Sequence, residues 1–314
     1  MEGSLSTLTE QLRGIVSHIE VHSTVRWSSK ILDLIPDLAR ELGSTYDVML
    51  HDYVPVCPQV TLIDSSGHYC GEAGVEQCNR CIGENPKSAN TIHPDWQSTD
   101  MTDIDGWRRR YSDFVAGANE VVAPSRDVIL RMGRYHPGRQ IVLRPHAELD
   151  RPFARRVALP YEGGVLKVVT IGAIGDHKGA RILEACIDDA RSRQLPIAFS
   201  IVGFTSSPKL NGSSEIQITG GYKEDEVFDA LDDVKAHVAL LPSVWPETYS
   251  YTLSIALEAG YPVCTFDMGA PAERLRALGT GLLLPLETMS DPASINDMLL
   301  DQFNQTKNGF LRAS

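Results

Sequence analysis

Two stretches about 70 residues apart carry residue types suited to holding an anion and a polyol. In Gly172-Ala173-Ile174-Gly175-Asp176-His177-Lys178-Gly179, the glycines at 172, 175 and 179 allow backbone amides to approach a phosphate, and Lys178 supplies positive charge. In Pro246-Glu247-Thr248-Tyr249-Ser250-Tyr251-Thr252-Leu253-Ser254, an acid beside proline precedes a series of hydroxyl side chains. The chain then runs on through Glu258-Ala259-Gly260-Tyr261-Pro262-Val263. This second stretch reads as a loop feeding a helix and then a strand, and a helix N-terminus offers unpaired amides to an anion. Taken alone, a glycine turn with one lysine is as well explained as a plain strand-to-helix connection. The two together fall on the loops where an open α/β sheet holds nucleotides. Lys178, Glu247 and the hydroxyls of Thr248, Ser250 and Thr252 are therefore the candidates to meet such a ligand, with Gly172, Gly175 and Gly179 in the turn and Tyr249, Tyr251 and Glu258 in the same stretch as Glu247.

Other residues offer further chemistry. His51, in His51-Asp52-Tyr53, follows a predicted strand and is a candidate catalytic residue; its plain alternative is a histidine satisfied by a carbonyl at a strand end. Tyr222, in Thr219-Gly220-Gly221-Tyr222 ahead of a predicted helix, is a candidate stacking residue, although Gly-Gly is first of all a turn signal. Pro124-Ser125 and Arg144-Pro145-His146 lie at predicted strand ends with less specific chemistry. Four of the six cysteines fall together as Cys57, Cys70, Cys78 and Cys81, while Cys186 and Cys264 stand alone in apolar segments. Such a cluster suits a structural zinc ion that would staple the loop after Tyr53, with a disulfide pair or plain thiols as the alternatives. Trp107-Arg108-Arg109-Arg110-Tyr111 is the one basic cluster, and it reads either as a contact for anionic lipid or as a solvated helix face.

Composition bounds the rest. The 314 residues are 42% hydrophobic and 22% charged, enough for ordinary cores in two domains of about 150 residues each. A net charge of -12 argues against a nucleic-acid groove, so any anionic ligand must be held locally. No run approaches the roughly 20 apolar residues of a membrane span, and the N-terminus lacks the basic-then-apolar plan of a secretion signal. The expectation is a cytoplasmic protein with at most peripheral contact at the inner face of the membrane.

The elements that must position these groups follow from periodicity. Residues 14–22 predict a strand, 28–42 a helix stopped by Gly43, and 46–50 a buried strand; 117–123 and 140–143 continue the rhythm. Between 147 and 164, Pro152, Pro160 and Gly163-Gly164 with little periodicity mark a linker. A second unit follows, with strands at 165–171, 197–202, 236–241 and 261–266 and helices at 180–193 and 224–232. The fold class is α/β with parallel sheets, in two Rossmann-like domains at 1–148 and 149–314.

The run from Glu247 to Val263 resembles the donor-site signature of the retaining GT-B glycosyltransferases of family 4, where Glu-x7-Glu leads into a small-residue helix and Gly-x-Pro-Val. The loop ending in Lys178-Gly179 resembles the family's Gly-Arg-x5-Lys-Gly, and His51-Asp52 its His-Asp. The run His-Asp-Tyr-x3-Cys-Pro with trailing cysteines is similar to a subset of bacterial members acting on surface polysaccharides, which extends the likeness to most of the chain.

The resemblance implies two Rossmann-like domains facing a cleft, a nucleoside-diphosphate sugar donor, a saccharide or lipid-linked acceptor, retention of configuration and no catalytic metal. It also implies that Glu247 contacts the transferred sugar, Lys178 neutralises the leaving diphosphate, His51 meets the sugar or acceptor, and Tyr222 lies against the base. Two positions depart from the pattern: Ile255 stands where the second Glu belongs, with Glu258 one helical turn on, and Ala173 replaces the arginine. Only about one strand-helix unit precedes His51, so the expectation is a shortened N-terminal domain and a fragment of a longer chain. A nucleotide-sugar-binding module without turnover, or a zinc-stapled scaffold, are the alternatives.

Overall fold

A computed structural model describes residues 9–84, 103–146, 155 and 157–305. The chain divides into two compact units, Met1–Pro145 and His146–Ser314.

The first unit is a four-stranded parallel sheet, β1 (His18–Val21), β2 (Thr45–Met49), β3 (Val121–Ala123) and β4 (Val142–Leu143), in the spatial order β1-β2-β3-β4. Its helices are α1 (Ile31–Leu42), α2 (Val75–Glu84), α3 (Ile104–Gly117) and α4 (Arg126–Tyr135). Every connection steps one strand in the same direction, so right-handed crossovers gather the helices on one face. Consistent with that, α3 packs against both α1 and α2. On this face the Tyr46 ring stacks on Phe114 of α3, centroids 5.2 Å apart, and its hydroxyl donates to the Phe114 carbonyl at 2.6 Å.

The strand expected over 117–123 is shorter than its apolar pattern. Val48 still donates to the Glu120 carbonyl at 3.0 Å and Asn119 to that of Tyr46 at 2.7 Å, but the Glu120 amide turns to the carboxylate of Asp47 at 2.8 Å, which also accepts from the Asn119 side chain at 3.0 Å. Ser125 caps α4 by accepting from the Val128 amide at 3.3 Å, which gives the Pro124-Ser125 pair a structural role.

The second unit is a six-stranded parallel sheet of β5 (Leu166–Ile174), β6 (Ile197–Thr205), β7 (Ile216–Ile218), β8 (Val238–Leu241), β9 (Val263–Phe266) and β10 (Leu282–Leu284). Its helices are α5 (Ala180–Ser192), α6 (Pro208–Asn211), α7 (Val227–Val234), α8 (Tyr251–Glu258), α9 (Gly269–Leu278) and α10 (Pro292–Gln305). The spatial order β7-β6-β5-β8-β9-β10 is the doubly wound arrangement, in which the chain leaves its first strand in one direction, returns, and continues in the other. The reversal lies between β5 and β8, and ligands of such sheets bind outside the carboxyl ends of the strands at that point. Val169, Ile171, Ala239, Leu253, Val263 and Leu275 form part of the core between sheet and helices, each buried to 2% exposure or less. Burying a side chain of Val or Leu size contributes about 1.5–3 kcal/mol.

Part of the expected linker is stitched to this unit. Arg155 donates its amide to the Glu258 carbonyl, Val157 and Ala158 donate to that of Ala259, and Leu159 donates to that of Ala236. Among the described residues no helix is long and apolar enough to cross a membrane.

His136, just after α4, is 4% exposed with Nδ1 3.0 Å from the Ser112 hydroxyl. Burial pushes its pKa down to about 4. The unfolded chain takes up this proton below about pH 6.5, whereas the folded chain resists it until about pH 4. Stability from this group is therefore present in full above pH 6.5 and falls by up to about 3 kcal/mol as the pH drops towards 4. Urea unfolding of the whole chain at pH 7, 5.5 and 4.5 should show this decline, and His136→Gln should remove about one proton from its slope.

Candidate functional site

The reversal between β5 and β8 brings the two chemical motifs together. Lys178 closes a single 3-10 turn, Asp176–Lys178, at the end of β5, and Glu247 lies in the loop after β8. Lys178 Nζ stands 2.5 Å from Glu247 Oε2. The Glu247 side chain is 4% exposed and that of Lys178 27%, so a buried carboxylate is matched by an ammonium that still reaches solvent.

Glycine makes this approach possible. Gly179 has φ +83°, and a Cβ there would collide with the Pro242 carbonyl that begins the Glu247 loop. On the far side Gly269, with φ +68°, leaves no room for a Cβ beside the Glu247 backbone, and Ala270 donates its amide to the Glu247 carbonyl at 2.8 Å. His177 closes the same floor, its carbonyl accepting from the Val244 amide at 3.1 Å and the Ser243 hydroxyl at 3.2 Å.

Ser250 is the N-cap of α8, accepting from the Leu253 amide at 3.4 Å, and its hydroxyl lies 3.1 Å from that of Thr252. Arg274 of α9 ties this turn down: it donates to the Ser250 carbonyl and the Ser254 hydroxyl, each at 3.1 Å, with its guanidinium 5.4 Å from the Tyr249 ring centroid. Tyr249 meets Tyr251 edge-on at 4.7 Å and His146 at 4.4 Å, while Tyr251 is 60% exposed. Thr248 is buried beside Glu247.

The other expected ligand-binding residues take different places in this geometry. The turn after β5 begins at Gly175, because β5 pairs with β6 as far as Ile174. Gly172 lies inside β5 opposite Gly203, where a Cβ on Gly203 would strike the Gly172 carbonyl. The amides of Gly175, Lys178 and Gly179 are bonded within the chain to the carbonyls of Ala173, Gly175 and Asp176. Glu258 is the last residue of α8, about 12 Å along the axis from its N-cap, and its carboxylate pairs with Arg155 Nε at 3.6 Å. Tyr222 packs, half-buried, against the same core cluster as Ile255, and burial pushes its hydroxyl pKa up.

In the first unit His51 follows β2 and meets His22, just after β1. His22 Nδ1 lies 2.9 Å from His51 Nε2, the rings are stacked 5.1 Å apart, and His22 Nε2 is 3.4 Å from Glu20. Asp52 accepts from the Ser23 hydroxyl at 2.7 Å and the Val54 amide at 2.9 Å, while burial pushes its pKa up. The basic run does not present aromatics to lipid: Trp107 and Tyr111 are buried at 2% and 1% exposure. Arg108 lies over the Tyr135 ring, and Arg110 pairs with Asp33 at 2.7 Å.

Cys57, Cys70, Cys78 and Cys81 line one cavity of about 370 Å³. No disulfide joins any of the six cysteines, and among the described residues no three His, Cys, Asp or Glu side chains stand ready to hold a metal ion. Burial pushes the Cys57 thiol up to about 12, with Cys70, Cys78 and Cys81 acting in the same direction.

Removing one member of a buried pair leaves its partner uncompensated. Lys178→Ala should cost about 2–4 kcal/mol in chemical unfolding, whereas Lys178→Ala combined with Glu247→Gln should recover at least half of that loss.

No protein-family profile matches the chain, and no curated protein is similar to it in sequence. Solved structures do resemble it. One is the GtfA/B complex, at 14% identity and TM-score 0.57, covering 97% of this chain, which spans only 53% of that one. Another is HepE of Anabaena in complex with UDP-glucose, at 12% identity and TM-score 0.56, covering 96% of this chain and 73% of its own. The catalytic domain of starch synthase IV from Arabidopsis thaliana, bound to ADP and acarbose, matches at 13% identity and TM-score 0.55, covering 98% of this chain and 69% of its own. With its two parallel α/β units and its doubly wound second sheet, the chain has the fold of the GT-B glycosyltransferases.

Proposed function

We propose that this protein is a retaining glycosyltransferase of family 4 that moves a hexose from a nucleoside-diphosphate sugar to a saccharide or lipid-linked acceptor in cell-surface polysaccharide synthesis, acting from the cytoplasm. The observation that carries this reading is the Lys178–Glu247 pair at the carboxyl ends of β5 and β8. That is the crevice where doubly wound sheets hold phosphorylated ligands. HepE, with the same fold, was solved with UDP-glucose, and starch synthase IV with ADP; the two nucleotides differ, so the base used by this chain is left to the experiment.

In the proposed reaction the bond from the anomeric carbon to the diphosphate oxygen breaks as an acceptor hydroxyl bonds to that carbon on the same face. The acceptor proton passes to the departing phosphate oxygen, so no side chain need act as base. Lys178 offsets charge developing on the diphosphate, and Glu247, held by Gly269 and Ala270, orients the sugar hydroxyls. Release of Lys178 from Glu247 towards the diphosphate would free the carboxylate for those hydroxyls. His51, set against His22, is assigned to the acceptor or transferred sugar.

A second reading, a module that binds nucleotide sugar without turnover, is favoured by Ile255, whose side chain packs on the core where the family's ribose-binding carboxylate would stand. Two measurements separate the readings. A nucleoside diphosphate or nucleotide sugar at 100 times its dissociation constant should stabilise the chain by about 2.7 kcal/mol, which a thermal-shift panel would register. Donor breakdown should then fall by about 100-fold or more in Glu247→Ala and in Lys178→Ala, with the anomeric configuration of the product retained by NMR. Binding without donor consumption would establish the second reading, and an inverted product would exclude retention.

A further inference from the structure

The loop between β2 and α2 is unusual in what holds it. Residues 50–74 contain one isolated antiparallel bridge, Ile63 with Tyr69, and three non-glycine residues at positive φ: Val60 at 62°, Leu62 at 58° and Glu72 at 59°. Such conformations cost about 1 kcal/mol or more each and persist only where the surroundings impose them. The ten-residue helix α2 buries none of its side chains, and a helix that short is marginal in water without packing. Its visible anchors are polar: Asn79 accepts from the Ile104 amide at 2.8 Å, and Arg108 donates to Cys78 Sγ at 3.7 Å.

Four cysteines converge on this weakly held region. Cys78 and Cys81, three apart on α2, share a helix face, while Cys57 and Cys70 come from the loop, and all four line the same cavity. The loop sulfurs already receive backbone amides. Cys57 Sγ accepts from the Gln59 amide at 3.4 Å, and Cys70 accepts from those of Glu72 and Ala73, folded back by the left-handed residues Gly71 and Glu72.

We propose that Cys57, Cys70, Cys78 and Cys81 bind one zinc ion in tetrahedral thiolate coordination, tying α2 to the loop that follows β2. The sulfurs line the cavity without standing at ligand spacing, so binding requires them to close on the ion, and α2, none of whose side chains is fully buried, is the element that would shift. Binding would release the thiol protons and hold the strained loop in place. The site is independent of the Lys178–Glu247 pair and of any transferase reading.

The test is metal analysis of the full chain, purified under reducing conditions and dialysed. About one zinc per chain is expected, and Co²⁺ exchanged into the site should give the near-ultraviolet thiolate-to-cobalt charge-transfer band. Cys78→Ser with Cys81→Ser should lower the zinc content below about half an equivalent, while Cys186→Ser, in α5 of the other unit, should leave it at about one. Should the double variant fail to fold, the wild-type zinc content and cobalt spectrum decide the matter. Less than about half an equivalent in the wild type, absence of the cobalt band, or a disulfide among the four cysteines by mass spectrometry would overturn the proposal.

Discussion

A carboxylate taken out of water requires a positive charge beside it, and Glu247 imposes that requirement on the second unit. To reach it, Lys178 must sit at the end of β5 while the loop after β8 comes within touching distance. That approach depends on Gly179 having no side chain to meet the Pro242 carbonyl. Glu247 must also be held from behind, which Gly269 and the Ala270 amide accomplish at the start of α9. Three loops from three different strands thus converge around one buried carboxylate. The strand order, with its reversal between β5 and β8, is what puts those loops side by side.

Much of this was legible in the residues. The apolar runs at 165–171, 197–202, 236–241 and 261–266 mark strands that the sheet contains, because strands of a parallel sheet, covered on both faces, read as nearly continuous hydrophobic segments. The ends were less legible. β5 and β6 each extend three residues beyond their apolar runs, since Gly172 and Gly203 pair across the ladder and glycine hides a strand from propensity. Lys178 and Glu247 stood out through residue type and neighbouring glycines. Arg274, Gly269, His22 and Ser23 did not, because each acts through contact with a residue distant in the chain. Glu258 lies at the far end of α8 from its N-cap and pairs with Arg155, a placement that spacing along the helix does not reveal.

The two units differ in how their sheets are wound. In the first, strands succeed one another in one direction, and among the described residues no reversal forms a crevice of the doubly wound kind. Its chemistry gathers instead at the ends of β1 and β2, where Glu20, His22 and His51 make one chain and Ser23 and Asp52 another.

Helix α8 is fastened at both ends. Arg274 grips its first turn through Ser250 and Ser254, and the segment carrying Arg155 and Val157 is zipped to the carbonyls of Glu258 and Ala259 behind it. A helix clamped in this way behaves as a spacer of fixed length. Its side chains are free to diverge wherever packing allows, but adding or deleting a single residue would rotate everything beyond it by about 100° and release one clamp or the other. Variation in length should therefore be confined to exposed turns such as 223–226, leaving the interval from Ser250 to Ala259 restricted in length.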